Sequence, residues 1–531
     1  MGAGLMRFAI IAVLTVIAAG TVFLAVAVSP WWAFAAAPLV AAAAVGWYDL
    51  LQRRHSVLRN YPVLGHLRFL LEAIRPEMQQ YFIERNFDGR PFDRDVRSIV
   101  YERAKATEDE SPFGTEREVY EDGYESFVHS MAPVKTADEP PRVRVGGPGC
   151  AKPYDMALLN VSAMSFGSLS ANAILALNGG AAKGGFAHDT GEGGLSDYHL
   201  RPGGDLVWEI GTGYFGCRTR DGGFDEAEFA RKSASDSVKC VSLKLSQGAK
   251  PGIGGVLPGS KVNAEIAKVR EVPQGETVIS PPYHRTFSTP RELVLFVAKM
   301  RELAQGKPAG VKLCVGSRTQ FLAVCKAMLA EDVTPDFILV DGAEGGTGAA
   351  PLEFSDHIGV PLTDGLMTVH NALVGTGLRD RIRLGAAGKV ATGADIVKRL
   401  IQGADYTNAA RAMMFAVGCI QSQRCHTNHC PVGVATQDPR RARALDVEGK
   451  TERVYRFQRA TVRSAQQIMA AMGVSDPALL RPHMLRKRLD ATTVRTYAEL
   501  YEWLEPGQLL DGPRTGWEDD WRAADPDLFT V

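Results

Sequence analysis

Charged side chains are almost missing from the first fifty positions. Phe8 to Val28 is an uncharged apolar run of 21 residues, long enough as a helix to cross about 30 Å of hydrocarbon. Ser29-Pro30 breaks it, and a second apolar run, Trp31 to Tyr48, follows at once. Residues 1–48 are therefore expected to form a two-helix transmembrane hairpin. Trp31-Trp32 at the turn and Trp47-Tyr48 at the exit suit the aromatic belts of the two interfaces. A cleavable signal peptide is disfavoured by the length of the first run, by the single Arg7 ahead of it and by the second run behind it. Arg53, Arg54, Arg59 and Arg68 follow the hairpin, whereas its turn carries no charge. The positive-inside rule then gives a two-pass protein of the inner (cytoplasmic) membrane with its termini and catalytic part in the cytoplasm. Residues 49–149 are charged and punctuated by Pro, as expected of a membrane-proximal connector that packs on the next domain.

From about Cys150 the pattern changes to short apolar runs separated by Gly-rich loops and helical periodicities. Eight runs read as strands: Ala157–Met164, Phe186–Thr190, Leu206–Ile210, Val241–Ser246, Val311–Val315, Phe337–Val340, Ile382–Gly385 and Tyr406–Ala410. Eight strands alternating with helices predict an α/β fold, a (β/α)8 TIM barrel over 150–438 whose site lies on the loops after the strands. A doubly wound sheet is the runner-up, and Gly-rich polar loops after almost every strand favour the barrel. Residues 439–531 are expected to be a helical extension, with Val454, Phe457, Val462 and Ile468 marking a face that packs on the barrel.

Composition narrows the function. Sixty Lys and Arg balance sixty Asp and Glu, which removes a global electrostatic case for nucleic acid. Eight Cys in 531 residues do not make a disulfide framework. Three of them fall at C-x5-C-x4-C, as Cys419, Cys425 and Cys430-Pro431. Clustered thiolates of this kind suit an iron–sulfur cluster, three ligands favouring a three-iron one, and they equally suit zinc completed by His426 or His429. Cys150, Cys217, Cys240, Cys314 and Cys325 read as structural.

Other loops carry chemistry of their own. Gly345, Gly346, Thr347 and Gly348 follow the sixth strand, Gly388-Lys389 the seventh, and Arg411 the eighth, the order in which such barrels grip phosphate. The stretch after the fourth strand is long enough for a lid and holds Lys250, Lys261, Arg270 and Arg285. Of these, Lys261 and Arg285 read as solvated surface, and Lys250 and Arg270 as cations for an anionic substrate. Lys244 and Lys312, inside strand patterns, should point into the barrel mouth. Gly211-x-Gly213-x-x-Gly216 matches a dinucleotide fingerprint but is followed by loop-like sequence, so no Rossmann site is expected.

Five motifs in order resemble the FMN-binding synthase domain of glutamate synthase: Ala163-Met-Ser-Phe-Gly-Ser-Leu-Ser170, Thr190-Gly-Glu-Gly-Gly194, Gln247-Gly-Ala-Lys-Pro-Gly252, Gly345-Gly-Thr-Gly-Ala349 and Cys425-His-Thr-Asn-His-Cys-Pro-Val-Gly-Val-Ala-Thr-Gln437. More closely, the chain is similar to the stand-alone, membrane-anchored members of the FMN-binding glutamate synthase family. The resemblance implies FMN and a [3Fe-4S] cluster on Cys419, Cys425 and Cys430. It also implies hydride transfer from reduced FMN to 2-iminoglutarate, formed from 2-oxoglutarate and ammonia, to give L-glutamate. By motif match Lys250 and Arg270 bind the substrate carboxylates, with Met164, Ser165 and Glu192 lining the site. Lys312, Gly345, Gly346, Thr347, Gly388 and Arg411 serve FMN.

Departures from that family shape further expectations. A membrane hairpin stands where the large enzymes have an amidotransferase, so glutamine-derived ammonia has no expected source within this chain. Ile253 and Val256 stand where the larger enzymes have Glu and Gln, which opens the site to another amine or 2-oxo acid. No nicotinamide site is visible, so the electron donor is expected to be a protein or a membrane carrier. Two alternatives stay open. One is an N-substituted glutamate synthase, or an amino-acid dehydrogenase feeding membrane electron transfer. The other is a zinc-stabilised membrane ligand sensor without turnover.

Overall fold

In the computed structural model residues 3–512 and 515–529 are described, and the chain divides into two compact units, Met1–Gly89 and Arg90–Val531. The expected extension at 513, 514, 530 and 531, and the first two residues of the hairpin, lie outside the described residues. The division falls inside the stretch expected to be one connector.

The first unit begins with two helices, Ala3–Ala27 and Ala33–Leu51, joined by a 3-10 turn over Pro30–Trp32. Ile11, Ala18, Ala36, Ala43 and Gly46 are its buried apolar contacts. A Cβ on Gly46 would run into the Ile11 side chain, so the small residue sets the close approach of the pair. Trp47 Nε1 donates to Thr15 Oγ1 across it at 3.0 Å. Outward, Val16, Phe23, Val26 and Phe34 are exposed, and both helices are long and apolar enough to cross a membrane. A third helix, Gly65–Met78, follows.

The second unit is built on a closed barrel of eight parallel strands: β1 Leu159–Val161, β2 His188–Asp189, β3 Leu206–Ile210, β4 Val238–Lys244, β5 Ala309–Leu313, β6 Phe337–Asp341, β7 Arg383–Ala387 and β8 Tyr406–Ala409. The ring closes where β8 pairs with β1, Asn408 opposite Asn160. All eight strand runs read in the sequence are barrel strands, with shifted ends. β1 stops at Val161, and β7 runs on through Ala386-Ala387, which pair with Val340 and Asp341 of β6.

Alternation along each strand sorts the barrel interior into layers. Val207, Cys240, Phe337, Leu339, Ala387 and Tyr406 fill its lower part, together with Val145 and Met156. The last two come from an antiparallel hairpin, Arg142–Val145 with Tyr154–Ala157, which straddles the expected boundary at 149. Two residues further along the same inward faces stand Glu209, Asp341 and Asn408, with Lys244 and Lys312 on the neighbouring strands. The upper layer is therefore charged.

Val447–Ala471, a 25-residue helix, packs on Ala171–Gly184. A Cβ on Gly180 would overlap the Val454 side chain, so glycine permits the contact. Val454, Phe457 and Val462 are buried, as their periodicity predicted. The C-terminal extension is not purely helical: Leu485–Arg488 pairs with Val494–Thr496 and with Glu125–Phe127 in a small antiparallel sheet.

Candidate active site at the barrel mouth

Lys244 at the end of β4 lies directly opposite Lys312 of β5. Two cations so placed repel unless each has its own counter-charge. Lys312 Nζ pairs with Glu209 Oε2 at 3.0 Å, both fully buried, and Lys244 Nζ pairs with Glu192 Oε1 at 2.9 Å. Burial opposes the Lys312 charge, but Glu209, Asp341 and Asp189 hold its pKa above the ordinary range. Asp189 at the end of β2 and Asp341 at the end of β6 are pushed up chiefly by burial, with Glu209 adding to it in both. Asp189 Oδ1 accepts from Gly191 N and Asp341 Oδ2 from Gly248 N, whereas Asp189 Oδ2 and Glu209 Oε1 have no partner among the described residues. The expected inward lysines are thus in place. Glu209, unread in the sequence, is a lone acid inside the apolar run Leu-Val-Trp-Glu-Ile.

Glu192 sits on the loop after β2. Burial would raise its carboxyl, but Lys244, Arg270 and Lys250 outweigh it and hold it below the usual range. A Cβ on Gly211 or Gly255 would collide with the Glu192 carboxylate, so glycines of two other loops wall it in. Lys250 is 2% exposed and its ammonium has no hydrogen-bond or ion-pair partner among the described residues. Burial, then repulsion from Lys244, lowers its pKa. Arg270 ends the helix Ala264–Arg270. Its Nη2 donates to Phe166 O at 3.3 Å and its guanidinium lies 5.2 Å from the Phe215 ring centre. Burial lowers it to about 10, so it stays charged at neutral pH. A Cβ on Gly193 would touch both Arg270 and Ser165. Met164 is held by His199, whose Nε2 donates to its carbonyl at 2.9 Å. Glu192, Lys250, Arg270, Ser165 and Met164, called together by motif, therefore share one region: two buried cations around one carboxylate.

The other predicted set gathers on the far side of the mouth. Arg411 opens the short helix Arg411–Val417, and its Nη2 donates to Thr347 O at 2.6 Å. A Cβ on Gly346 would come within 2.8 Å of Arg411 Nε, whereas Gly348 faces open space. A Cβ on Gly388 would come within 3.0 Å of the Leu362 side chain and 3.5 Å of Gly342 N at the base of the same loop. An arginine, a run of glycines with accessible backbone and buried cations on the barrel floor form a donor set that fits a phosphate and an electron-rich ring.

The cysteine loop runs from Cys419 to Cys430. Cys419 and Cys430 are buried and Cys425 half-buried. Gln421 N donates to Cys419 Sγ at 3.4 Å, and Arg411 Nη1 lies 3.7 Å from Cys425 Sγ. Burial raises the Cys419 thiol to about 11; Arg411 opposes this and Cys425 and Cys430 add to it, so the three sulfurs sense one another. Gln421, Gln423 and Asn428 take left-handed φ between 56° and 65°, a concentration of costly backbone in one loop. His426 and His429 are exposed, and no three His, Cys, Asp or Glu side chains among the described residues gather around one point to hold a metal ion. Three cysteines on one loop, with a guanidinium beside Cys425 and an N–H beside Cys419, are a donor set that an iron–sulfur cluster could use.

Two corrections concern what encloses this loop. Lys261, read as solvated, is 3% exposed, and its Nζ donates to Ser168 O and Ala435 O at 3.0 and 3.1 Å. Residues from Arg90 onward, read as part of a membrane-proximal connector, clasp the cysteine loop. Gln421 Oε1 accepts from Phe92 N and its Nε2 donates to Phe92 O; the Phe92 ring stands edge-on to Phe415 at 5.3 Å; and Tyr101 OH donates to Cys419 O. Arg285 remains at the surface. The Gly211–Gly216 stretch is a loop, as expected.

A cavity of about 930 Å³ lies to one side, between the ends of β4 and β5 and the helices that follow them, lined by Leu245, Leu313, Val315, Phe287, Phe321 and His284. His284 links it to the site, its Nε2 donating to Lys244 O.

Residues 152–475 match the family described as the conserved region in glutamate synthase. The glutamate synthase large subunit-like protein YerD of Bacillus subtilis (strain 168) is 37% identical over 500 residues, 86% of this chain and 95% of that protein. An archaeal glutamate synthase (NADPH) of Methanocaldococcus jannaschii is 33% identical over 329 residues, 62% of this chain and 61% of that protein. Ferredoxin-dependent glutamate synthase 2 of Synechocystis sp. is 37% identical over 265 residues, 49% of this chain and 16% of that protein.

Proposed function

The chain belongs to the glutamate synthase family, and as an oxidoreductase of that type we propose that it reduces 2-iminoglutarate, formed from 2-oxoglutarate and ammonia, to L-glutamate. The observation that carries the reading is the convergence of buried Lys250 and Arg270 on Glu192 at the barrel mouth. A dianionic substrate needs two cations, and here both are desolvated, which strengthens their hold on a carboxylate. Glu192 keeps them apart while the site is empty of substrate, and Lys244 holds Glu192 in place. Met164 and Ser165 complete the wall.

FMN would be held by Gly345, Gly346, Thr347, Gly388 and Arg411, with Lys312 serving its ring, and when bound would supply the hydride. Glu209 keeps Lys312 charged, so the floor of the site favours electron-rich partners. Cys419, Cys425 and Cys430 would carry a [3Fe-4S] cluster that relays single electrons from a donor protein or membrane carrier.

The two apolar helices support a two-pass anchor in the inner (cytoplasmic) membrane with the barrel in the cytoplasm. Exposed Val16, Phe23, Val26 and Phe34 are what lipid would cover, and a core helix of a soluble domain would bury them.

The test is anaerobic. The purified protein is reduced and flavin absorbance followed after adding 2-oxoglutarate and ammonium. Rapid reoxidation that needs both supports the reading, and a reducible flavin that ignores the pair refutes this substrate. One observation favours a second reading, an alkylamine in place of ammonia. Ile253 and Val256 flank Gly254-Gly255, and Gly255 abuts the Glu192 carboxylate, so two apolar residues stand on the loop that reaches Glu192.

A further inference from the structure

The helix Gly65–Met78 is tied to the rest of its unit near its N-terminal end, through His66 and Phe69. Gly65 is its one buried residue. Leu67, Leu70, Leu71, Ile74 and Met78 recur at helical spacing along one side and are 42–58% exposed. Tyr81, Phe82 and Ile83, in the π-helical turn Gln79–Ile83 that follows, are exposed as well. One flank of the stripe is polar, with Arg68 Nε paired to Glu72 Oε1 at 2.9 Å and with Arg75, and Glu77 borders the stripe on its other side. Fourteen residues make a rod of about 21 Å, and a continuous apolar stripe of that length in water is unfavourable unless something covers it.

The position of the helix names the cover. Asp49 lies two residues before the last of the second long helix, fully buried. Its Oδ2 accepts from Val63 N at 2.9 Å and its Oδ1 from His66 Nε2 at 3.0 Å. The first turn of Gly65–Met78 is thereby pinned to the exit of that helix, the level at which a span leaves the bilayer. Around this point Arg53, Arg54, Arg59, Arg68 and Arg75 outnumber Glu72 and Glu77. A helix with an apolar stripe, a basic surround and trailing aromatics has the chemistry of an in-plane interfacial helix. We propose that Gly65–Met78 lies along the lipid interface, its Leu67–Met78 stripe in the acyl boundary and its arginines among acidic headgroups. The inference rests on the membrane reading of the two helices before it and adds a third point of lipid contact.

The test places a benzophenone-bearing residue singly at position 16, 70, 72 or 74 of the full chain, reconstituted in vesicles of phosphatidylethanolamine and phosphatidylglycerol. Mass spectrometry after illumination then identifies the adducts. Lipid adducts at 16, 70 and 74, with loss of adduct at 72, are expected. Lipid at 16 but none at 70 and 74 overturns the inference and leaves the hairpin standing. Adducts at 70 and 74 to a second copy or another protein overturn it in favour of a protein interface. Absence of lipid at 16 as well sinks the hairpin, and the inference with it.

Discussion

Arg411 joins two sites through one guanidinium: Nη1 lies 3.7 Å from the thiol of Cys425, and Nη2 donates to the carbonyl of Thr347. The flavin-side glycine loop and the cysteine loop are therefore not independent. A cation placed between them favours negative charge on both.

Replacing that cation should be felt on both sides. Arg411→Met removes a charge-assisted hydrogen bond of about 1.5–3 kcal/mol, so FMN should bind roughly 10- to 100-fold more weakly by fluorescence titration. The potential of the cluster should also fall, read by redox titration with electron paramagnetic resonance. Unchanged FMN affinity would remove Arg411 from the phosphate site.

Cys425→Ser or Cys419→Ser should bleach the brown absorbance and bring iron to background. Cys240→Ser, on a thiol buried in the barrel floor, should keep both. Full iron in Cys425→Ser protein would count against the cluster assignment.

The Glu192–Lys244 pair should give stability a defined pH dependence. The carboxyl is held below its usual range in the fold, so the pair stabilises above the unfolded-state value of about 4.3, and that contribution is lost as pH falls through the depressed folded value. Glu192→Gln leaves the buried Lys244 without its counter-charge, held by Gln247 alone, at a cost of about 3 kcal/mol at neutral pH. The gap in Tm between variant and parent should persist above about pH 4.3 and close only as pH falls through the depressed folded value. A gap independent of pH would mean that Gln disturbs packing rather than charge.

If Ile253 and Val256 select the amine, Ile253→Glu combined with Val256→Gln should shift the ratio of reoxidation rates toward ammonium and away from methylamine. One methyl group in such a pocket is worth roughly tenfold. An unchanged ratio would place amine selection elsewhere.

Gln421→Leu removes hydrogen bonds to both backbone groups of Phe92. It should speed loss of iron to a chelator several-fold while leaving the barrel's thermal transition near the parent's. Equal rates would show that the cysteine loop holds its own shape.

Most of the barrel could be read along the chain because each strand is a compact apolar run, and the motif residues fall at the strand ends where the fold must put them. What stayed hidden depends on partners far away in sequence. Glu209 has meaning only beside Lys312, 103 residues on. Lys261 looked solvated because its partners are the backbone carbonyls of Ser168 and Ala435, which no side-chain pattern advertises. β7 reaches Ala387 although Gly-Ala-Ala has little strand propensity, since pairing on both sides overrides it. The segment after Arg90 read as a mere connector because its role lies in backbone hydrogen bonds to Gln421.

That clasp also dictates an order of events at the ribosome. Phe92 and Gln421 are separated by 329 residues, which at bacterial synthesis speeds is roughly 20 to 60 s of translation. The Phe92 segment emerges long before the loop it will cover. The cysteines thus appear late, and the segment that covers them is the oldest part of the second unit. The cover can close only after the barrel strands have all been made, so if the cysteines hold a cluster it would be sealed in last, and a shortage of iron should leave behind a folded barrel rather than an unfolded chain.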